Sequence, residues 1–284
     1  MSDAPALPPL REALEAHGLL ADKRFGQHFL LDLNITRKIA RLTGPLDGAV
    51  VIEVGPGPGG LTRALLESSA AHVIAVEKDR RFIPLLQELA VASQGRLTVV
   101  EADALRIDEA ALIAAHAPGR AAHLVANLPY NVATPLLVRW LTGAFRPAGM
   151  TLMFQREVAL RIAAAPGSDD YGRLSVLVQA TQRAEVALTL PARAFTPPPK
   201  VESAVVRLTP LPDRPSPARL AVLERVTAAA FGQRRKMLRS SLKPLGGAAL
   251  CEAAAVDADA RAETVDVAGF LRLAAALAPS TQER

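Results

Sequence analysis

The stretch Ala49-Val-Val-Ile-Glu-Val-Gly-Pro-Gly-Pro-Gly-Gly60 decides the fold, because it joins an apolar run directly to a glycine-rich loop. Its apolar half is typical of a buried strand in a parallel sheet. Gly55, Gly57 and Gly60 have the G-x-G-x-x-G spacing that lets a ligand approach the backbone where a helix begins. Glu77 ends the next apolar run, so the spacing predicts a nucleotide-like ligand at the ends of two parallel strands.

Apolar runs and amphipathic stretches alternate along this part of the chain. The runs predict strands over Ala49–Val54, Val73–Glu77, Leu97–Glu101, Leu124–Ala126 and Met150–Phe154. Helix-like stretches lie near Leu61–Ser68, Phe82–Ala92, Pro135–Leu141 and Arg156–Ala164. The alternation predicts an α/β protein with a mostly parallel, doubly wound sheet.

The pattern changes towards the C-terminus. Two runs, Ala184–Leu190 and Val201–Leu208, follow each other without a full helix between them and predict an antiparallel hairpin at the sheet edge. The Pro-rich stretch Thr209–Pro217 is typical of a linker, and the remainder has helical but no strand patterning. We therefore expect a first domain over residues 1–210, with a tail and short helix in 1–20, and a small α-helical domain over 211–284.

Composition limits the function classes. The net charge of +5 and pI of about 9.8 are compatible with a polyanionic partner. Cys251 is the only cysteine, which excludes an intramolecular disulfide and a cysteine-cluster metal site, so we expect no metal. The Pro-rich start, Met1–Leu10, has neither the basic nor the apolar region of a secretory signal. No apolar stretch is long enough to span a bilayer, so we expect a soluble, cytoplasmic protein without membrane contact.

Two details of the glycine loop separate the candidate ligands. Pro56 and Pro58 lack the backbone N–H groups that would bind a pyrophosphate, and the carboxylate of Glu53 would repel one. These residues argue against a nicotinamide dinucleotide, although the glycine spacing keeps a dehydrogenase open as an alternative. They favour a ligand with an ammonium group and no phosphate, which is the chemistry of S-adenosylmethionine. The motif Glu53-x-Gly-x-Gly-x-Gly also resembles the glycine motif of class I methyltransferases.

The next two strand ends supply matching acceptors. A carboxylate at Glu77 suits the ribose hydroxyls, whereas Asp103, followed by Ala104 after the third strand, suits the adenine amino group. Either carboxylate alone is as easily explained as a helix N-cap or loop residue. Their arrangement one strand apart after a glycine loop is what indicates S-adenosylmethionine.

The segment Val125-Ala-Asn-Leu-Pro-Tyr130 carries the candidate chemistry. The Asn127 side-chain oxygen can accept a hydrogen bond from an exocyclic amine, and Pro129 stiffens the loop so that the Leu128 carbonyl can accept a second. Tyr130 offers a ring on which a base can stack. The tetrapeptide resembles the Asn/Asp-Pro-Pro-Tyr/Phe signature of methyltransferases that act on adenine N6. The alternative is an ordinary strand that ends in a proline turn.

A combination of motifs over roughly residues 20 to 245 resembles the rRNA adenine N6,N6-dimethyltransferases. The matching pieces are Lys23-Arg-Phe-Gly-Gln-His-Phe-Leu30, Glu53–Thr62, Glu77-Lys-Asp79, Glu101-Ala-Asp103, Asn127–Tyr130, Phe154-Gln-Arg-Glu157, Tyr171-Gly-Arg-Leu-Ser175 and Phe195-Thr-Pro-Pro-Pro-Lys-Val-Glu-Ser203. The resemblance implies a Rossmann-like class I methyltransferase domain, S-adenosylmethionine as methyl donor, and rRNA as substrate.

The resemblance also implies residue roles. The donor would be bound by Gln27, His28, Leu30, Gly55, Glu77, Asp103 and Asn127, and we add Glu53, Gly57 and Ala104 from the motifs above. His28 stands where the family more commonly has asparagine, and both can form hydrogen bonds. The target base would be held between Tyr130 and Phe195. Because prolines occupy positions 197–199, we expect no buried strand at Phe195.

A basic segment lies in the C-terminal part. Its cations are Arg234, Arg235, Lys236, Arg239 and Lys243, with no acid among them. The segment predicts a basic helix in which Lys236, Arg239 and Lys243 fall on one face at i, i+3 and i+7, while Met237, Leu238 and Leu242 can face the core. The segment resembles the family's Phe-x-Gln-Arg-Arg-Lys-x-Leu stretch and predicts contact with RNA phosphates; the alternative is a solvated helix face.

These features together predict an enzyme that dimethylates N6 of two adjacent adenines near the 3′ end of 16S rRNA in the small ribosomal subunit, acting as a monomer and with a role in subunit biogenesis. Resemblance, and not residue spacing, supplies that target. An assembly factor whose methylation is secondary, and a methyltransferase of large-subunit rRNA or DNA, stay open as alternatives.

Overall fold

The computed structural model describes residues 8–19, 28–233 and 235–277. Its main-sheet strands are β2 Val50–Val54, β3 His72–Glu77, β4 Leu97–Glu101, β5 Ala122–Asn127, β6 Gly149–Gln155, β7 Gln182–Leu190 and β9 Ser203–Pro210. A separate two-stranded ribbon consists of β1 Phe29–Leu30 and β8 Phe195–Thr196. The helices are α1 Leu10–Ala16, α2 Leu33–Leu42, α3 Gly60–Leu66, α4 Ile83–Ala92, α5 Glu109–His116, α6 Tyr130–Thr142, α7 Arg156–Ala163, α8 Arg173–Gln179, α9 Pro217–Gly232, α10 Leu238–Ser241, α11 Gly247–Ala253 and α12 Val267–Leu277.

The main sheet has the strand order β4-β3-β2-β5-β6-β9-β7. The first five strands in this order pair in parallel, and β9 pairs antiparallel with β6. The order reverses direction between β2 and β5, which is the switch point where doubly wound sheets bind ligands. The predicted α/β class with an antiparallel sheet edge is therefore confirmed.

The central strands are buried because helices cover both faces of a parallel sheet. Val51 and Ile52 of β2 and Leu124 and Val125 of β5 have no exposed surface. Each such side chain contributes about 1.5–3 kcal/mol through burial. This packing fixes the carboxyl ends of the strands, from which the candidate site is built.

The helices α2, α5 and α8 are not predicted by the sequence patterns described above, and helix α6 begins earlier than expected. For α2 and α5 the sequence does contain a signal of a helix start, because each has an aspartate at the N-cap. Asp32 accepts a hydrogen bond from the Asn34 amide, and Asp108 accepts one from the Ala111 amide. The helix α6 starts at Tyr130 and not near Pro135, because it follows Pro129 directly.

The residue contacts divide the described chain into two compact units. The first contains Met1–Leu137, Phe145–Arg156 and Val186–Leu208, and the second Val138–Ala144, Glu157–Glu185 and Thr209–Arg284. The division into domains at residue 210 stays a prediction, since compact packing and functional domains need not have the same limits.

The C-terminal part of the second unit is helical, as its sequence predicts. Phe231 of α9 stacks on Phe270 of α12 at a centroid distance of 5.4 Å and meets the ring of Tyr171 edge-on at 6.1 Å. Cys251 of α11 is fully buried, and burial raises the pKa of its thiol. It is a core residue, in agreement with its apolar sequence context.

The basic segment is not one helix, so the expected common face of Lys236, Arg239 and Lys243 is wrong. Helix α9 ends at Gly232, the short α10 begins at Leu238, and a 3₁₀ turn starts at Lys243. A glycine at the end of α9 and a proline at position 244 explain the interruptions. Leu238 and Leu242 are buried as expected, whereas Met237 is 40% exposed.

Gly60 tests how the ribbon packs on the glycine loop. A Cβ atom at Gly60 would lie 2.6 Å from the Leu30 carbonyl oxygen, whereas one at Gly172 would meet nothing within 4 Å. We expect Gly60→Ala to lower the free energy of unfolding by about 1–3 kcal/mol through overpacking, and Gly172→Ala to leave it nearly unchanged. Urea unfolding of the two variants measures this difference, and equal stabilities would contradict it.

Candidate functional site

The carboxyl ends of β2, β3, β4 and β5 bring the predicted site residues to one edge of the sheet. Gly55 and Gly57 follow β2 with φ of +68° and +53°, which a residue with a Cβ rarely adopts. A Cβ on Gly57 would also lie 3.2 Å from the Phe29 ring. The glycines therefore allow both the turn and the close approach of the β1 segment.

Two cavities meet at this edge. One, of about 80 Å³, is lined by residues 28–30, the glycine loop, Glu77 and residues 127–130. The other, of about 490 Å³, is lined by Lys78, Asp103, Ala104 and Leu105 among others. Gly55, Glu77 and Pro129 line both. An elongated ligand with a small charged end and a nucleoside end matches this pair of cavities.

Glu53 places a buried acceptor in the smaller cavity. Its side chain is 1% exposed, and Oε2 has no hydrogen-bond partner among the described residues. Burial raises the pKa of Glu53 to about 8; the nearby Thr62 hydroxyl opposes this shift and the charge of Glu77 adds to it. A buried carboxyl group with one oxygen left without a hydrogen-bond partner fits an ammonium group, as on the amino-acid end of S-adenosylmethionine.

Glu77 ties the glycine loop to the end of β3. Its Oε2 accepts from the Gly57 amide at 2.9 Å, and its Oε1 accepts from the amides of Lys78 and Asp79 at 2.8 and 2.7 Å. Burial raises the pKa of Glu77, and these three amides oppose the shift. The structure thus gives Glu77 a structural task that the sequence did not reveal; its contact with a ribose stays a prediction.

Asp103 lies in the larger cavity beside a cation that sequence reasoning missed. Lys78 Nζ donates to Oδ2 of Asp103 at 2.8 Å, and the Leu105 amide donates to Oδ1 at 3.0 Å. The hydrogen bond from Lys78 is the largest cause that lowers the pKa of Asp103, so the group is ionised at neutral pH. Lys78 directly follows Glu77 in the chain, and that adjacency was the available signal. The roles of Asp103 and Ala104 at an adenine stay predictions.

The Asn127–Tyr130 loop lies between the ribbon and β9. Asn127 Nδ2 donates to the His28 carbonyl oxygen at 3.3 Å. The Tyr130 hydroxyl is 2.7 Å from Oγ of Ser203, which is fully buried at the start of β9. Ser203 therefore fixes the position of the Tyr130 ring. The contact between Ser203 and Tyr130 could not be predicted from local sequence, because the two residues lie 73 positions apart in the chain.

The ribbon corrects one expectation about Phe195. This residue lies in β8, pairs with Leu30 of β1 and is 3% exposed, so the expectation of no buried strand here is wrong. The prolines follow the two-residue strand and do not interrupt it. Phe195 packs in the apolar core with Leu30, and its role at the target base stays a prediction. Gln27 lies outside the described residues.

The predicted RNA-binding cations differ in their surroundings. Arg235, Lys236, Arg239 and Lys243 are exposed, and Arg234 lies outside the described residues. Arg239 Nη1 lies 2.7 Å from Oδ1 of Asp259, so the fold gives this cation an acidic partner that is distant in sequence. Within the described ranges we find no group of three metal-ligating side chains and no helix that could span a membrane.

The strand order, the glycine loop, the acidic strand ends and the Asn-Leu-Pro-Tyr loop together define a class I S-adenosylmethionine-dependent methyltransferase. Residues 18–279 match the family described as Ribosomal RNA adenine dimethylase, and the chain belongs to that family. The resemblance and the methyl donor inferred from the sequence are thereby confirmed, and the dehydrogenase alternative is wrong.

Individual relatives agree with this assignment. A protein of Phenylobacterium zucineum (strain HLK1), named Ribosomal RNA small subunit methyltransferase A, is 71% identical over 268 residues, or 94% of this chain and 92% of the relative. A dimethyladenosine transferase from Plasmodium falciparum has a similar fold, with a TM-score of 0.71, 24% identity, and coverage of 85% of this chain and 94% of that one. The 23S rRNA methyltransferase ErmE gives a TM-score of 0.68 at 27% identity, covering 88% of this chain and 99% of its own.

Glu53 makes donor binding depend on pH. Since the pKa of Glu53 is about 8, the free protein holds this proton at pH 7, and an ammonium group would favour its release. We expect binding of S-adenosylmethionine to release about one proton, and the affinity to rise up to about tenfold per pH unit below pH 8 and then level off. Calorimetry in buffers of different ionisation enthalpy measures the proton release.

Glu53→Gln is the matched variant. It should bind the donor more weakly and without proton release. Because the raised pKa means that the folded state retains a proton that the unfolded state loses, the stability of the free wild type falls as the pH rises from about 5 to 8. The Glu53→Gln variant should not show this fall in stability with rising pH, which thermal unfolding at a series of pH values measures. A wild-type donor affinity independent of pH would contradict the assignment.

Proposed function

We propose that this protein transfers methyl groups from S-adenosylmethionine to N6 of two adjacent adenines near the 3′ end of 16S rRNA in the small ribosomal subunit. The 71% identity to a relative named for the small-subunit rRNA, over nearly the full length of both chains, is the observation that carries the choice of substrate. The adenine chemistry rests on membership of the dimethylase family and on the Asn127–Tyr130 loop.

The donor would be held by residues of both cavities. Glu53 would accept from its ammonium group, Glu77 from the ribose and Asp103 from the adenine amino group. S-Adenosylmethionine, when bound, supplies an electrophilic methyl group. The left-handed backbone at Gly55 and Gly57 would shape the loop around the donor, because residues with a Cβ rarely adopt this conformation.

Asn127 and Leu128 would act on the target amine. Its lone pair is delocalised into the adenine ring, which makes it a poor nucleophile. Hydrogen bonds from N6–H to Asn127 Oδ1 and to the Leu128 carbonyl favour a more tetrahedral nitrogen and stabilise the positive charge that develops on it. No strong base is required, because the methylated ammonium is acidic and loses its proton to water. Positioning therefore supplies several kcal/mol of the rate enhancement.

Tyr130 would provide the surface for the target base. The adenine has to leave its stack to enter the cavity, and stacking on an aromatic ring returns about 1–3 kcal/mol. The hydrogen bond to Ser203 holds the ring in place before the base arrives. Phe195 would need to become accessible to take part, since it is now buried.

We further propose that the protein works as a monomer in the cytoplasm and that its binding to the immature subunit assists assembly. An assembly factor with secondary methylation differs from this only in which activity matters to the cell. The two activities are separable, because the residues proposed for chemistry and for RNA contact are different.

Methylation of defined substrates tests the function. Undermethylated small subunits, mature large subunits and duplex DNA are each incubated with radiolabelled S-adenosylmethionine. We expect label as N6,N6-dimethyladenosine in 16S rRNA alone, and Asn127→Ala to lower kcat at least 100-fold while small-subunit binding persists. Label in large-subunit rRNA or in DNA would contradict the proposed substrate.

Arg239 and Lys243 test the RNA contact. Lys243 is exposed with no ion pair to any described residue, whereas Arg239 must first leave Asp259. We expect Lys243→Gln to weaken small-subunit RNA binding several-fold and to reduce the slope of log K against log salt by about 1. Arg239→Gln should reduce the affinity and the salt slope less than Lys243→Gln does. Asp259→Asn should strengthen RNA binding, because it releases Arg239 from its ion pair. A larger effect from Arg239→Gln than from Lys243→Gln would contradict this ranking.

A further inference from the structure

Basic side chains line the edge of the main sheet at which its parallel strands begin, opposite the candidate site at their carboxyl ends. Arg96 directly precedes β4, His72 is the first residue of β3, and Arg120 comes two residues before β5. The strands β4 and β5 are three positions apart in the sheet, or about 14 Å at the usual spacing between strands. The proposed reaction makes no use of this row of side chains.

Backbone carbonyl groups hold the two arginines of this edge in place. Arg96 donates to three carbonyl oxygens between Leu66 and Ala70, at 2.8 to 3.1 Å. Arg120 Nη1 donates to the Gly48 carbonyl oxygen at 2.7 Å. A carbonyl oxygen orients a guanidinium group without cancelling its charge. No acid of the described chain forms an ion pair with either arginine, so both charges are available to an anion.

The pKa of His72 shows that these charges act together. Burial is the main cause that lowers the pKa of His72. The charges of His116, Arg120 and Arg96 lower it further. A position at which several cations disfavour a proton is one at which they favour an anion.

The cations of α2 adjoin the same edge. Arg37 and Arg41 line a cavity of about 260 Å³ between α2 and the end of α3. Ser68 lines it as well, and its carbonyl oxygen is one of the three that accept from Arg96. The helix and the sheet edge therefore share one basic surface. We call it the edge surface, and its cationic residues are Arg37, Lys38, Arg41, His72, Arg96 and Arg120.

Carboxylates cancel only part of this charge. Glu67 accepts two hydrogen bonds from Arg37, at 2.6 and 2.8 Å. Asp47 is exposed, and its backbone forms an isolated bridge to the loop that follows α3. Lys38 and Arg41 are exposed and have no ion pair among the residues that the structure describes. The edge surface therefore keeps a net positive charge.

We propose that the edge surface is a second RNA-docking surface, which binds phosphates of rRNA outside the nucleotides that enter the candidate site. This inference rests on the proposed rRNA substrate. Phosphates repeat along an RNA strand, and about 14 Å of sheet edge spans several nucleotide steps. Guanidinium groups in a fixed orientation match phosphate oxygens, because they present two parallel N–H donors. The edge surface is separate in sequence from the basic segment of the C-terminal part, so the two can contact different stretches of rRNA.

Binding to undermethylated small subunits at several salt concentrations tests the proposal. We expect Lys38→Gln/Arg41→Gln to weaken binding about five- to tenfold and to reduce the slope of log K against log salt by about 1.5. The dissociation constant for S-adenosylmethionine, and kcat at saturating subunits, should stay within about twofold of wild type, because the changes lie apart from the site. Arg11→Gln/Arg183→Gln is the matched control.

The control variant removes two exposed cations from α1 and β7 and should bind small subunits as the wild type does. Arg120→Gln tests the sheet edge itself and should reduce the salt slope by about 0.7–0.9. Thermal unfolding of each variant checks its fold. If Lys38→Gln/Arg41→Gln and the control share the same affinity and the same salt slope, the proposal is wrong.

Cross-linking identifies what the edge surface contacts. A photoreactive phenylalanine analogue is placed at position 38, and the protein is irradiated while bound to small subunits. We expect a cross-link to 16S rRNA. A cross-link to a ribosomal protein alone, or none to RNA, would overturn the proposal. Failure of the proposed function would appear separately, as a wild type that binds small subunits but labels no 16S rRNA.

Discussion

The carboxylate of Glu77 accepts hydrogen bonds from three backbone amides, and the geometry of the candidate site depends on these bonds. One of the three belongs to Gly57 and the other two to the residues that follow β3. The glycine loop after β2 is thereby fastened to the end of the neighbouring strand β3, and Glu77 lines both cavities. A buried carboxylate is costly unless its oxygens are hydrogen-bonded, so the loop and the strand end stabilise each other. Glu53, buried beside it without such donors, retains its proton instead.

The two acids differ in their hydrogen bonds, and this difference shows how the fold prepares a binding site. Glu77 is hydrogen-bonded by the protein itself, whereas Oε2 of Glu53 is available to a ligand. Asp103 is a third case, because it is more exposed and already paired with Lys78. Three carboxylates at one edge of a sheet therefore differ in protonation and in readiness to bind, although the sequence alone presents them as similar residues.

Much of the fold could be predicted because its signals are local. The apolar runs and the glycine spacing sufficed for the parallel strands and the position of the site, since strand ends converge by topology alone. What could not be predicted depends on residues that are distant in sequence. Ser203 beside Tyr130, Pro197 beside His28 and Asp259 beside Arg239 become neighbours only in the folded chain. The prediction that the basic segment forms one helix is wrong for a local reason. Gly232 and Pro244 interrupt the helix although the cations have helical spacing.

The burial of Cys251 has a practical consequence. A thiol with no exposed surface and a raised pKa presents almost no thiolate to reagents in solution. Since the chain has no other cysteine, a cysteine introduced at an exposed position such as Lys236 would be the one site open to a maleimide probe. The native chain is thus already suited to site-specific fluorescence or spin labelling, and its encounter with RNA can be followed without first removing a thiol from the core.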